Sequence, residues 1–426
     1  MKLKKVAAAS LAALMTLSLA ACGGSGDDGG AESTGVSITI FNSKMEIQDQ
    51  FEEAAEEYSK ATGVDVEVYY SSDTVAAHLA TKYSSNDPYT ISMVDAKDVY
   101  NLAEEHAIDL SGESWVEQTP YAISVNDKVV GFPVCVEARG IIYNADAIEA
   151  ITGETFNPAD YATLDEFKGL LDKLVAGGME SPTAVLKEDW SIAGHYLPQV
   201  YEEQADPEAF ITGLTEGTVD LANDAKYNSL MDTFETLMEY NYAKDSAISA
   251  EREVSSQKLA EGEVAFMFGG NWDWAVLSAY DYSENMGMMP VPQNTEDGTN
   301  TKLVGGGSKY FFIDSSENTS DEQRQAAKDF LNWLVNDPEG NAFLTEDCKL
   351  VPAFSNIPAD ALDPLGASVK AYADAGNLIN NYNFLPDDHY SVLGASMQKY
   401  LAGQIDRTEF ANEVVSYWKT AQVIAH

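Results

Sequence analysis

Val36-Ser37-Ile38-Thr39-Ile40-Phe41, Val64-Asp65-Val66-Glu67-Val68-Tyr69-Tyr70 and Thr90-Ile91-Ser92-Met93-Val94 are the three runs whose reading decides the fold. Each is short and rich in β-branched or aromatic residues, as strands are. Between the first two, Phe51, Ala54, Ala55 and Tyr58 recur at helical spacing and stop at Gly63. Helix-compatible residues at 75–83 join the second run to the third. A β-α-β-α-β order calls for a parallel sheet with covering helices. Further strands are expected at 129–134 and 140–143, separated by the polar Glu137-Ala138-Arg139. Helices are expected at 164–175, 227–240, 321–335, 392–401 and 410–423. In the 321–335 helix, Ala327, Phe330, Leu331 and Leu334 form one apolar stripe, while Asp321 and Glu322 favour the dipole at its start. No internal repeat breaks this alternation. A chain of 426 residues with 45% hydrophobic composition exceeds one ordinary core, so two α/β lobes are expected.

The beginning of the chain sets the compartment. Lys2, Lys4 and Lys5 precede an apolar stretch at 6–20 that is too short and Ala-rich for a comfortable membrane span. It ends in Leu19-Ala20-Ala21-Cys22, which looks like a bacterial lipobox. Residues 1–21 therefore read as a lipoprotein signal peptide, with Cys22 as the lipidated residue that anchors the chain to the membrane. Residues 22–35 are rich in Gly, Ser, Asp and Glu and read as a flexible tether. The expected place is the extracellular face of a Gram-positive-type cell membrane.

The formal net charge is −44, from 69 acidic and 25 basic residues. Nucleic acid, anionic lipid surfaces and phosphorylated ligands need clustered Lys and Arg, so the balance argues against all three. It suits a soluble monomer. Beyond Cys22 only Cys135 and Cys348 remain. They pair in one disulfide, or each is a small buried apolar residue; the sequence leaves both open.

Several segments, taken in order, resemble the extracellular solute-binding proteins of carbohydrate ABC importers, the maltose-binding-protein-like family. They are Ala61-Thr62-Gly63-Val64-Asp65-Val66, Val130-Gly131-Phe132-Pro133-Val134-Cys135-Val136-Glu137-Ala138, and Gly262-Glu263-Val264-Ala265-Phe266-Met267-Phe268-Gly269-Gly270-Asn271-Trp272. Val304-Gly305-Gly306-Gly307-Ser308 and Asn336-Asp337-Pro338-Glu339-Gly340 continue the match. Their order and spacing, more than any one motif, carry the resemblance across nearly the whole mature chain. The resemblance implies a periplasmic-binding-protein-like fold, two α/β lobes joined by hinge crossings with ligand in the cleft. Crossings are expected near 135–139, 302–305 and 351–353. Lobe one then combines 36–136 with 304–350, and lobe two 137–303 with 351–426. The partners implied are a carbohydrate and the membrane subunits of an ABC importer. An oligosaccharide is expected, with a malto-oligosaccharide as first choice, and no cofactor.

Sugars present apolar C–H patches on ring faces and dense hydroxyls at ring edges, so a site needs aromatic planes with carboxylates or amides around them. Trp272, just past a Gly-Gly turn, matches the family's stacking Trp. Trp274, two residues on, is a second candidate, and Asn271 and Asp273 either bond hydroxyls or cap the helix that follows. Trp190 falls where the family sets an aromatic after a strand. Glu137 matches a family acid at the first crossing, or else pairs with Arg139. Asp95 follows an apolar strand at its carboxyl end, where open α/β sheets place ligands, or caps the next helix. Ser43 and Lys44 occupy the loop after the first strand, with Ser43 where maltose-binding proteins have an acid. Tyr390 is placed by spacing back from Gly403; Tyr69 and Tyr70 read as strand residues.

A secreted glycoside hydrolase would also show acids and aromatics, but among 69 acids some pair is always close. HExxH, G-x-S-x-G, P-loop and CxxC signatures are absent from the sequence. Gly305-Gly306-Gly307-Ser308-Lys309 lacks the order of a phosphate loop; its glycines let backbone approach the cleft or hinge. His78, His106, His195, His389 and His426 give no metal-ligand spacing. A binding protein is therefore expected in place of an enzyme, with a carrier of iron or polyamine as the sister alternative.

Overall fold

The computed structural model describes residues 31–71 and 73–423. The signal peptide and Cys22 lie outside the described residues. The strands are β1 (Ser37–Asn42), β2 (Asp65–Tyr70), β3 (Ile91–Asp95), β4 (Ile123–Val125) and β5 (Lys128–Pro133). There follow β6 (Cys135–Asn144), β7 (Thr183–Ala184), β8 (Phe266–Gly270), β9 (Met286–Met289) and β10 (Leu303–Gly307). The last are β11 (Lys309–Ile313), β12 (Val351–Pro352) and β13 (Leu378–Ile379).

These strands form two sheets, one per α/β lobe. The first has the order β2-β1-β3-β11-β5-β4, with β1 parallel to both β2 and β3 as the β-α-β-α-β reading requires. Its strands alternate between two layers. Ile38, Ile40, Met93 and Phe311 face helices Gln48–Thr62 and Asp321–Asn336, which bring Phe51, Tyr58 and Phe330. Phe41, Val94 and Phe312 face helices Val75–Ser84 and Ala96–His106, which bring Leu79 and Val99. The side-chain period of two puts one hydrophobic set on each face.

The second sheet has the order β13-β10-β6-β8-β7, with β9 and β12 also paired to β6. Helices Leu164–Ala176, Ala225–Glu239, His389–Leu401 and Arg407–Trp418 pack against it around Phe167, Phe234, Met397 and Phe410. The last helix stops at Trp418, short of the expected 423, and Val423 is exposed.

The lobes join where β5 runs into β6 and β10 into β11. Val134 N–H donates to the Lys309 carbonyl at 2.8 Å, and Ser308 N–H to the Cys135 carbonyl at 3.1 Å. β12 lies antiparallel beside them, Val351 opposite Val136. Three crossings thus run side by side. The strand break expected at Glu137-Ala138-Arg139 does not occur; β6 passes through it unbroken because β10 pairs with those residues along the edge. Residues 304–307, expected in the first lobe, pair in the second sheet for the same reason. Gly305 permits that pairing, since a Cβ there would come within 2.5 Å of the Ala138 side chain.

Residues 31–35, expected as tether, are held against the end of the first long helix. Ala31 N–H donates to Lys60 O and Thr34 N–H to Gly63 O, each at 2.9 Å. Helix ends leave carbonyls without intrahelical partners, and these amides supply them. Cys135 and Cys348 are free thiols, and burial pushes Cys135 up to about 12. Among the described residues no helix is long and apolar enough to cross a membrane.

Candidate functional site

Two cavities open between the lobes and meet at Glu137 and Trp272. The first, about 300 Å³, lies under the carboxyl end of β3 and is walled by β6, the turn at Gly194-His195 and segment 381–390. The second, about 390 Å³, reaches from Lys44 past Trp274 to residues 347–350. Each falls in the range of small-ligand pockets.

Trp272 forms the partition, and two glycines explain how. β8 ends in Gly269-Gly270, and the indole folds back over Gly270 so closely that a Cβ there would meet Trp272 Cη2 at 2.3 Å. The imidazole of His195 lies against the same indole, ring centroids 4.7 Å apart. Burial, with Arg139 adding to it, lowers His195 to about 3, so it stays neutral at physiological pH.

Glu137 sits at the floor. Its Oε1 accepts from Lys44 Nζ at 2.8 Å and its Oε2 from the Ser308 hydroxyl. Burial pushes this carboxyl up, but Lys44 and Ser308 outweigh it and hold it at about 2. Lys44, itself buried, also reaches Glu46 at 2.8 Å. The pair joins the loop after β1 to β6 and so bridges the lobes.

Arg139 is not the partner of Glu137. Its guanidinium meets Glu202, both side chains being buried. Asp95 lines the first cavity and accepts from Lys309 Nζ at 2.6 Å, with no cap bond to the helix it precedes. Tyr390 lines the same cavity above Gly194. Trp274 lines the second and packs edge-on against Tyr282, centroids 4.9 Å apart. Asn271 lines it too, its Oδ1 accepting from Ala138 N–H at 3.0 Å.

Three expected residues stand outside both walls. Asp273 is fully buried, its carboxylate accepting from Arg252 Nε at 2.7 Å and from Gly270 N–H at 3.0 Å. It shapes the turn that carries Trp272 and does not face the cleft. Trp190 lies one layer back, edge-on to His195 and under the Arg252 guanidinium. Ser43 lines neither cavity; the polar contact there falls to Lys44.

Other lining residues escaped the sequence reading: Arg139, His195, Glu202, Asn381, Lys97 and Asp387. Arg139 carried a signal, an arginine inside a run of strand residues, which is costly to bury without a partner. His195 and Glu202 lie in short helical turns and Lys97 in the helix after β3, none with a pattern that marks a site, and Asn381 and Asp387 lie outside any helix or strand. Lys97 and Asp387 form an ion pair across the mouth, beside Tyr100 and Phe384, whose rings are 5.0 Å apart. Among the described residues no cluster of His, Cys, Asp and Glu is arranged to hold a metal ion.

Known proteins share this architecture. A protein of Streptomyces coelicolor, named as a diacetylchitobiose binding protein, is 23% identical over 414 residues, covering 91% of this chain and 92% of its own. A maltodextrin-binding protein of Bacillus subtilis is 24% identical over 370 residues, covering 82% and 81%. A solute-binding protein solved with raffinose superposes with a TM-score of 0.73 at 18% identity, over 90% of this chain and 99% of that one. The model of the bacterial extracellular solute-binding protein family matches residues 53–376. With two α/β lobes, a cleft between them and that match, the chain belongs to the bacterial extracellular solute-binding proteins, a class that binds solutes and does not transform them.

Proposed function

We propose that this protein captures an oligosaccharide between its lobes and delivers it to the membrane subunits of an ABC importer. The observation that carries the reading is the pair of cavities meeting at one indole, with carboxylates at the edges. A ring face stacks on Trp272, Asp95 and Glu137 accept from hydroxyls, and a second ring reaches Trp274. Tyr390 closes the outer side, while Lys44 and Asn271 meet the second ring. Relatives named for diacetylchitobiose, maltodextrin and raffinose support a chain of more than one sugar. A malto-oligosaccharide remains the first choice among them.

Delivery follows from lobe motion. The segments divide near Val134, Ser308 and Leu350, and the ligand touches both halves. It favours the closed form only through contacts that form better there than in the open one. Lipid on Cys22 keeps the monomer at the outer face of the membrane, near its importer.

Titration calorimetry of the mature protein against maltotriose, diacetylchitobiose and raffinose tests the reading. Saturable one-to-one binding of at least one is expected. No response to any saccharide in a wider glycan panel, or saturation by ferric iron or a polyamine, overturns it.

A further inference from the structure

Arg139 ties together three pieces of chain that wall the first cavity. It lies on β6 two residues past Glu137, with 6% of its surface exposed. Its Nε donates to the carbonyl of His195 at 2.8 Å, and its Nη1 to Asn381 Oδ1 at 2.7 Å. Its Nη2 meets one oxygen of Glu202, whose other oxygen accepts from the Tyr382 amide at 2.9 Å. The guanidinium is a rigid planar fork whose donors sit on three separate nitrogens, so each nitrogen meets its own acceptor; an ammonium's three donors share one nitrogen and do not span them.

The segment from Asn381 to Asp388 has no strand or helix of its own. Such backbone holds its shape only through tethers. Arg139 and Glu202 fasten its root to the second lobe. Its outer part touches the first lobe, Asp387 at Lys97 and Phe384 beside Tyr100. The same guanidinium holds the turn that sets His195 against Trp272.

We propose that Arg139 is a positioning residue for ligand capture: together with Glu202 it fixes the 381–390 wall and the His195 turn in the shape that grips the solute. A buried ion pair adds little to stability over an apolar pair of the same size, so its service here is to geometry. The inference rests on the cleft being the ligand site, as proposed above.

The mature protein is compared with Arg139→Lys, Arg139→Met and the double variant Arg139→Met/Glu202→Leu. Two readouts are taken. Affinity is titrated with maltotriose, diacetylchitobiose and raffinose. Amide hydrogen exchange of residues 381–388 is followed without ligand. Arg139→Lys keeps a charge beside Glu202 yet loses the fork, and Kd is expected to rise about tenfold, the equivalent of one lost hydrogen bond. The double variant is expected to regain the thermal midpoint lost by Arg139→Met while keeping the weak Kd and fast exchange at 381–388. Should Arg139→Met fail to fold, the double variant and Arg139→Lys carry the test. A wild-type Kd in Arg139→Lys, or a double variant that regains both affinity and amide protection, overturns the positioning role. If the wild-type protein binds none of the sugars, the carbohydrate reading falls, and hydrogen exchange alone still decides whether Arg139 holds the wall.

Discussion

Glu137 and Arg139 stand two residues apart on one strand, so both point to the same face of β6. Their partners divide them. Glu137 joins Lys44 of the other lobe, whereas Arg139 joins Glu202 within its own. The first ion pair spans the boundary between the lobes; the second lies inside one of them. A single strand therefore supplies one contact between the lobes and, as proposed above, a brace that keeps a wall in shape. Spacing along a strand tells which residues share a surface. It does not tell which lobe each of them reaches.

That contrast can be broken from either side, and the largest effect is expected inside the second lobe. Glu202→Ala leaves the Arg139 guanidinium buried without its carboxylate, which costs about 3–5 kcal/mol of stability in denaturant unfolding. A loss below about 1 kcal/mol would show that water compensates the charge, and the brace would not be one.

Lys44→Met removes the bridging cation and is expected to cost about 1–3 kcal/mol, since Ser308 still serves Glu137. Its signature is in pH. The Glu137 carboxyl stands at about 2 in the folded protein against an ordinary 4.5. A carboxylate with a depressed value contributes stability above pH 4.5 and loses it as pH falls towards 2. The gap between wild type and Lys44→Met is therefore widest above pH 4.5 and closes towards pH 2. A gap that does not change with pH would separate Lys44 from Glu137.

Trp272 partitions the two cavities between those ion pairs. Trp272→Ala is expected to weaken sugar binding by about 1–3 kcal/mol while leaving the fold intact. Unchanged affinity removes the indole from the site. The smallest effect belongs to the outer tie: Lys97→Ala breaks a partly exposed pair with Asp387 and should change stability by less than about 1 kcal/mol. A larger loss would mean that the mouth contact holds the lobes together by itself.

Much of the first lobe was legible because its signals are local. Alternating Val64, Val66 and Val68, the helical spacing of Phe51 to Tyr58 and the stop at Gly63 all appear as expected, the last as a left-handed cap with φ 75°. Helix Asp321–Asn336 begins at a Ser320–Gln323 capping box, and Arg407–Trp418 at one between Asp406 and Glu409, a start that the 410–423 expectation passed over. The turn that carries Trp272 was legible for a similar reason, since Gly269-Gly270 marks it.

What stayed hidden is long-range. Glu137-Ala138-Arg139 looked like a break between strands, because charged residues inside a sheet need partners that lie 93 and 63 positions away. Asp273, read as a hydroxyl partner or a helix cap, is buried against Arg252, a partner 21 positions away, and Trp190 lies behind His195, outside both cavities. Asn381 and Asp387 belong to a segment without periodicity, so no pattern announced them.

The most direct test of the central claim is a crystal structure of the protein saturated with the tightest-binding oligosaccharide. The account expects one sugar ring flat against Trp272, with Asp95 or Glu137 at its edge and contacts to both lobes. Sugar bound to one lobe alone, or on a surface away from Glu137 and Trp272, would contradict it.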